Sequence, residues 1–468
     1  ASLLMISIID PTQISSIGLQ LSYTCVLVIL LVFPKLSLSI RYAHEQLPRF
    51  RKLVFEALDI LSLSVLICIF ITPLTLYYFH QFGMNGVIGN TIGIPLIGAM
   101  LPLAMLVLIL PGPLWVPFHS SYSLLDGWFI KWAEFSGHLP LFWNYLYFPW
   151  WELVLSIVIL LSWGILLSGF QIRKRIILLV ISLLLLVPII VFRHPALSNP
   201  RITFFDVGVG DCSLLQTPSK NVMIDAGPIT TNKPEIFYTT VPFLKKNGIR
   251  HLDYLILSHP HSDHIGGIPY LAGEIAIDSV AVNKAFLDDP EGRKIVSILS
   301  EKKCCKVRII PDTLTFSVDD FTFHIIHPDL LYHDDNPNNE SMVISLGHGN
   351  FNCLYTGDIE EQAESYILAH QRIHAEHYSF IKVPHHGSKT SGNAAFLSQI
   401  HPQIALINAS QHNRFHFPDP GTVHAYRTLG TKVFITGTDG AVQMDLMKNT
   451  VHVKTWKDMK EYVFSIIK

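Results

Sequence analysis

One stretch of the chain concentrates groups that bind metal: Ser258-His259-Pro260-His261-Ser262-Asp263-His264-Ile265-Gly266-Gly267. Imidazole and carboxylate together suit Zn²⁺, Mn²⁺ or iron. In extended backbone, residues two apart point the same way, so His259 and His261 can share one face and one metal. Asp263 and His264 fall at the turn beyond, where they can serve a second ion beside the first. Gly266 and Gly267 permit close backbone approach at the following turn. A solvated polar loop accounts for any one of these residues but not for the spacing. A chance H-x-H-x-D-H has odds of roughly a few in a thousand.

Three further segments supply what such a site lacks. Leu354-Tyr355-Thr356-Gly357-Asp358 places a carboxylate at a strand end, although Gly-Asp after a strand is also an ordinary turn. Val383-Pro384-His385-His386-Gly387-Ser388 places two histidines after another strand, and one of them would complete a second metal's shell. His416, in Asn413-Arg414-Phe415-His416-Phe417-Pro418, is a weaker addition. Lys382, Lys389 and Arg414 are close in sequence to these groups. They are phosphate contacts or ordinary solvated charges.

The elements that must position these groups are short strands mixed with helices. From Arg201 onward, strands are expected at Ile202–Phe205, Cys212–Gln216, Val222–Ile224 and Leu252–Leu257. Others follow at Val307–Ile310, Phe321–Ile326, Met342–Leu346, Phe351–Tyr355, Phe380–Val383, Ile404–Ile407, Val433–Ile435 and Ala441–Asp445. Helices are expected near Ile236–Asn247 and Glu360–Ala369. This mixture argues for α/β layers.

The composition describes a second kind of region. Half the residues are hydrophobic, 15% are charged, the net charge is −2, and mean hydropathy is +0.37. Soluble domains carry about 25% charged residues, so an ordinary cytosolic enzyme and a disordered chain are both excluded. The near-zero net charge leaves no global basic field for nucleic acid. Most of the histidines and most of the charge fall after residue 195. Before it, uncharged runs at Ile14–Phe33, Ile60–Phe79, Leu153–Phe170 and Ile176–Phe192 are near the length that spans a bilayer. Gly86–Leu125 is uncharged for forty residues and broken by Pro95, Pro102, Pro111, Pro113 and Pro117. It fits two crossings, or one crossing and a re-entrant piece. Gln20, Ser22, Tyr23, Asn90 and Thr91 within these runs line an aqueous path or simply pack helices. The six cysteines form no C-x-x-C pair, which excludes a zinc ribbon or a disulfide framework. The chain starts with Ala and shows no secretory signal, as a piece of a longer protein would.

The order of HxHxDH, a strand-end Gly-Asp and a later histidine resembles the metallo-β-lactamase superfamily. The finer wording is narrower. Asp206-Val207-Gly208-Val209-Gly210-Asp211, Ile224-Asp225-Ala226-Gly227, the Asn-Asn-x-Ser at Asn338–Ser341, the VPHHGS run and the final TGTDGAV resemble the ComEC family of DNA-internalisation competence proteins. Leu19-Gln20-Leu21-Ser22 resembles that family's membrane-domain signature.

The resemblance implies an all-α polytopic membrane channel at 1–195 and a metallo-β-lactamase-like αββα sandwich at 196–468. It implies two divalent ions, with His259, His261, Asp263, His264 and Asp358 as ligands, joined by one of His385 and His386, His386 being preferred slightly. Asp263, His385 and His416 would take part in catalysis, His416 near the scissile phosphate. Asp225 would orient a ligand histidine, and Asn338, Asn339, Ser388 and Lys389 would stand behind the ligands or against substrate. The implied partners are double-stranded DNA at a nuclease domain, single-stranded DNA in the channel, membrane lipid and other DNA-uptake proteins. The family turn carries Gln where this chain has Val209. Where a third histidine would serve the first ion, this chain has Asn338 and Asn339, which favours Mn²⁺ over Zn²⁺.

A membrane hydrolase of a lipid or cell-wall phosphodiester fits the same metal residues. So does a transporter whose hydrolase-like domain only binds, although that role has no need of HxHxDH. The basic clusters at Lys35–Lys52 and Arg173–Arg175 are expected in the cytoplasm of a bacterial plasma-membrane protein, with the hydrolase domain outside. That orientation requires the uncharged stretch after Pro113 to cross the membrane as well.

Overall fold

Apolar runs become long helices in the first part of the chain, and Pro73, Pro95 and Pro102 lie inside helices rather than breaking them. The computed structural model describes residues 2–34, 37, 49–143, 146–166, 197–230, 233–301, 305–310, 314–373, 375 and 377–466. They fall into two units, one built chiefly from residues 1–194 and one chiefly from 195–468.

In the first unit, helices α1 (Arg49–Phe79), α2 (Asn85–Ile109), α3 (Val116–Gly137) and α4 (Trp150–Leu166) follow one another. Hydroxyls inside α1 turn back on their own helix: Ser64 Oγ donates to the Ile60 carbonyl at 3.0 Å and Thr72 Oγ1 to that of Cys68 at 2.6 Å. The forty-residue uncharged stretch resolves into α2 and the first part of α3, with the helix ending before Pro111 and Pro113. The two helices run antiparallel. Trp132 Nε1 donates to the Gly89 carbonyl at 2.9 Å, and a Cβ on Gly89 would lie 3.1 Å from Ser136 Oγ. Phe82–Gly83 pairs with Phe142–Trp143, which ties the start of α2 to the end of α3.

Among the described residues, Glu56–Phe79 and Asn85–Ile109 are long and apolar enough to cross a membrane; Ile17–Val32 and Trp150–Leu160 are shorter apolar helices. The last expected run, Ile176–Phe192, and the cluster Arg173–Arg175 lie outside the described residues. Gln20 is a packing residue: its Oε1 accepts from Tyr78 Oη at 2.9 Å. Thr91 donates to the Val87 carbonyl of its own helix. Asn90 instead lines a cavity of about 440 Å³ with Ser64, Cys68, Thr72, Thr75 and Gln81.

The second unit contains two sheets. One has nine strands: β1 (Arg201–Phe204), β2 (Ser213–Gln216), β3 (Asn221–Ile224), β4 (His251–Ile256), β5 (Ala276–Val282), β6 (Lys306–Ile309), β14 (Val442–Leu446), β15 (Thr450–Thr455) and β16 (Glu461–Ser465). Their order is β16-β15-β14-β1-β2-β3-β4-β5-β6. The other has seven: β7 (Thr315–Val318), β8 (Phe321–His327), β9 (Val343–His348), β10 (Phe351–Tyr355), β11 (Phe380–Lys382), β12 (Ile404–Ile407) and β13 (Lys432–Ile435). They run in the order β13-β12-β11-β10-β9-β8-β7.

The sheets face each other across a core that includes Ile202, Phe204, Val222 and Ile256 from one and Phe323, Ile344, Phe380 and Leu406 from the other. Met223 and Leu255 alternate with inward residues and are equally buried, as a sheet covered on both faces requires. Helices Glu361–Ala369, Ala394–Ile400 and Pro420–Thr428 pack outside the seven-stranded sheet through Ile367, Phe396 and Tyr426. This is a metallo-β-lactamase-type αββα arrangement. The helix expected at Ile236–Asn247 is shorter, a turn at Glu235–Phe237 followed by a helix at Thr240–Lys246. Strands β5, β7, β15 and β16 were not anticipated. β15 and β16 form one end of the nine-stranded sheet and carry polar residues on their open face, which weakens an apolar signal.

Two parallel blocks position the chemistry. β3 to β6 run parallel, as do β10 to β13. Asp225 follows β3, His259 follows β4, Asp358 follows β10 and His386 follows β11, all at the C-terminal ends of parallel strands.

Candidate metal centre

β4 delivers the chain through Leu257 and Ser258 to His259. His261 is extended at ψ 148° and precedes a one-turn helix, Ser262–Ile265, which turns Asp263 and His264 back toward the strand ends. The rings of His259 and His261 lie 4.7 Å apart, and those of His259 and His264 4.1 Å apart. Close packing demands the glycines here. A Cβ on Gly267 would stand 2.1 Å from the Ala226 carbonyl, and one on Gly266 2.4 Å from the Ile229 nitrogen.

Asp263, His264, Asp358 and His386 converge, each offering one ligand atom within 4.8 Å of all the others. Asp358 Oδ2 lies 3.2 Å from His264 Nε2, 3.3 Å from His386 Nε2 and 4.0 Å from His259 Nε2. His386 Nε2 is 3.2 Å from Asp263 Oδ2. Of the two adjacent histidines, the structure brings His386 to the carboxylates. His385 turns toward Glu360, with Nδ1 3.1 Å from Oε1, and packs edge-on against Phe417. Both histidines have left-handed backbone, with φ 46° and 53°. Such conformations cost about 1–3 kcal/mol each and cluster at functional sites.

Asp225 fixes the orientation of His264. Its Oδ2 lies 2.9 Å from His264 Nδ1 and accepts from Ser258 Oγ at 2.7 Å; its Oδ1 accepts from the Ser258 backbone at 2.8 Å. With the proton on Nδ1, Nε2 is left as the lone-pair donor facing Asp358.

Sequence reasoning missed three supports. Asp211, in the turn between β1 and β2, is buried beside His386, with 3.5 Å between carboxylate and Nδ1. Asn408 donates to it at 3.0 Å. Lys382 is not a solvated charge or a phosphate contact. It is 2% exposed, bonds Asp211, and reaches Asp358 Oδ1 at 3.2 Å and the Gly357 carbonyl at 2.8 Å. The available signal was a lysine inside the apolar strand Phe380-Ile381-Lys382-Val383.

Other expected residues sit further out. Asn339 is committed to its loop: its Oδ1 accepts from the Glu360 backbone at 2.8 Å and its Nδ2 donates to Asp334 at 3.0 Å. Asn338 Nδ2 donates to Glu360 at 3.3 Å, while its Oδ1 is buried without a hydrogen bond. Ser388 Oγ pairs with Thr390, and Lys389 is exposed. His416 is exposed; the neighbour that meets His385 and His386 is Phe417.

Charge tests whether this set fits a cation. Four carboxylates, Asp211, Asp225, Asp263 and Asp358, lie in this site, and the Lys382 ammonium pairs with two of them, Asp211 and Asp358. His259 Nε2 and His264 Nε2 are buried and lack aligned hydrogen bonds. Burial, together with the neighbouring His264, holds His259 well below the usual imidazole range, so it is neutral and can ligate. Burial pushes His386 down, but Asp358 and Asp263 outweigh it and raise the group to about 9. Burial pushes Asp358 up, yet His386, His264 and Lys382 hold it well below the carboxylate range. Against its burial, His264 is likewise raised by Asp358, Asp225 and Asp211, so the carboxylates here draw positive charge onto the imidazoles, the place a divalent metal would take.

Residues 1–171 match the family model of the competence protein domain, and residues 205–412 that of the metallo-beta-lactamase superfamily. ComE operon protein 3 of Bacillus subtilis is 27% identical over 391 residues, covering 79% of this chain and 50% of that protein. Competence protein ComA of Neisseria gonorrhoeae is 26% identical over 284 residues, covering 60% of this chain and 38% of its own. Uncharacterized protein YcaI of Escherichia coli is 26% identical over 442 residues, covering 91% and 52%. The chain spans about half the length, or less, of these curated relatives. By its pairing of a competence protein domain with a metallo-β-lactamase domain, the chain is similar to the ComEC-type competence proteins.

Proposed function

We propose that this chain is the membrane part of a DNA-uptake machine. Its first unit passes one DNA strand, and its second is a divalent-metal phosphodiesterase that degrades the other. The observation that carries this reading is the convergence of Asp263, His264, Asp358 and His386 in a chain whose other domain matches competence proteins.

His259, His261 and Asp358 would hold one ion, and Asp263, His264, His386 and Asp358 another. When bound, divalent ions supply Lewis acidity toward phosphate and a water activated near neutral pH. The chain's own residues do the positioning. Lys382 engages Asp358 Oδ1 and so leaves Oδ2 turned toward the histidines. Asp225 keeps the His264 proton on Nδ1. The carboxylate-rich set favours a harder ion, Mn²⁺, over Zn²⁺ for activity.

The hydrolase unit is proposed to lie outside the plasma membrane. The support is a parity argument. α3 is 22 residues long, about 33 Å at 1.5 Å per residue, and runs back along α2. If α2 crosses, α3 crosses with it despite Asp126, Lys131 and Glu134. The spans α1 to α4 then number four between the two basic clusters, and both clusters face the cytoplasm.

The test uses the whole chain in detergent with single- and double-stranded DNA, RNA and a small phosphodiester. Metal-dependent DNA cleavage is expected, with Mn²⁺ refilling of stripped protein giving more activity than Zn²⁺. Hydrolysis of the small ester with no cleavage of either DNA would contradict the substrate, and a clear Zn²⁺ preference the metal. Reporter fusions after Arg175 and after Pro200 should read cytoplasm and exterior; cytoplasm at both overturns the orientation.

A further inference from the structure

Beside the metal centre stands a row of flat groups that the mechanism does not use. Asn413 organises it. Its Nδ2 donates to the carbonyls of Ser410 at 2.9 Å and Phe417 at 2.6 Å, and its Oδ1 accepts from the Phe415 and Phe417 nitrogens at 3.1 and 3.0 Å. With much of its backbone bonded by one side chain, this loop turns Arg414, Phe415 and His416 outward while Phe417 packs against the core. Phe417 meets His385 edge-on, with ring centroids 5.4 Å apart, and lies 6.1 Å from His386. Phe415 stacks on Phe417 at 5.6 Å, with 19° between the planes. The Arg414 guanidinium lies 4.6 Å from the centre of the Phe415 ring. Phe415 is 51% exposed. A ladder of His385, Phe417, Phe415 and Arg414 therefore runs from the histidine pair to solvent.

A lone exposed phenylalanine needs no explanation. A stacked pair of rings capped by a guanidinium and reaching the histidine pair beside the metal centre does, because its alignment is what a planar ligand uses. We propose that the Arg414–Phe415 face is a stacking platform for an unpaired nucleobase of the strand whose phosphate reaches the metal centre. This rests on the nuclease reading above and assigns the substrate form. The guanidinium marks where a base would lie over Phe415; once displaced, Arg414 is free to meet phosphate. Bases in a duplex hide their faces against one another. The platform therefore selects single strands or frayed ends over intact duplex.

The experiment compares the wild-type chain with Phe415→Ala and Phe415→Trp, in detergent, on an oligothymidine and on the same oligonucleotide made abasic. Stacking of one base is worth roughly five- to a hundredfold in binding. Phe415→Ala should raise KM for the oligothymidine by that factor with kcat nearly unchanged. It should leave the abasic strand and a small phosphodiester unaffected, and Phe415→Trp should restore the wild-type KM. Equal KM for base-bearing and abasic strands in the wild type, or equal losses on both in Phe415→Ala, overturns the platform. Binding of both strands measured in excess chelator separates the two readings. A protein that cleaves no DNA but discriminates against the abasic strand through Phe415 contradicts the nuclease reading and keeps the platform.

Discussion

The two units place their apolar side chains in opposite positions. In the first, Leu101, Leu108, Leu124 and Trp128 are more than half exposed, while Ser64, Ser136 and Ser156 are buried. In the second, Phe323, Leu354 and Leu406 are completely buried, and the buried polar groups include residues of the candidate metal centre and their supports. The first arrangement is stable against hydrocarbon and the second against water. The difference shows why one chain needs two kinds of sequence reading. In one unit charge is scarce; in the other several charges are taken inside and paired.

Lys382 offers the harshest test of that neutralisation. Lys382→Met keeps the volume but leaves Asp211 and Asp358 without their cation. Breaking a buried pair in this way costs about 3–5 kcal/mol. Urea denaturation followed by a probe in the second unit should show that loss, and saturating Mn²⁺ should recover part of it by binding the freed carboxylates. Unchanged stability would mean that the buried charges are not coupled.

A matched pair of leucines sharpens the contrast between surroundings. Leu101, in the middle of α2, and Leu331, in a loop of the second unit, are 63% and 90% exposed. Leu331→Lys should change stability by less than about 0.5 kcal/mol. Leu101→Lys should cost about 2.5–3.5 kcal/mol in membrane insertion, because the same exposure there means contact with lipid. Membrane-fraction yields of the two variants measure this. Equal yields would place α2 in water.

The smallest effect concerns Glu364, a carboxyl outside the metal centre. Burial, with help from Glu361 and Glu360, raises it to about 7 against bonds from the Asn393 and Gly392 backbone. A group raised in the folded state contributes its stability below the unfolded value, near 4.5, and loses it as pH rises through about 7. Glu364→Gln should therefore leave the second unit more stable than wild type above pH 7 by about 2 kcal/mol, with the difference vanishing below pH 4.5. Parallel stability curves across that range would show that the carboxyl is not perturbed.

How much of this was legible in the sequence follows the same division. HxHxDH was legible because strand periodicity and a following turn determine where four side chains point. Asp358 and His386 were legible as strand-end residues, since parallel strands present their C-terminal loops on one edge. Asp211, Lys382 and Asn408 were not. They are brought together only by pairing elements far apart in sequence: Asn408 and Asp211 are 197 residues apart along the chain. Asn339 misled for a related reason. Its amide lies in the metal-site loop but bonds Glu360 and Asp334. In the first unit, Pro111 and Pro113 marked the break between α2 and α3, but the contact that makes them antiparallel, Trp132 on Gly89, carries no signature.

The central claim is that the cluster around Asp358 is a metal-dependent nuclease site. The direct measurement is DNA cleavage by the Mn²⁺-loaded chain beside Asp263→Ala, with bound metal counted and folding followed by circular dichroism. Asp263 is a proposed ligand on a one-turn helix, not part of the core. The variant should keep the wild-type spectrum, bind less metal and lose at least about a thousandfold in cleavage, as chelator should cause in the wild type. Full cleavage by Asp263→Ala, or by wild-type protein in excess chelator, would contradict the account.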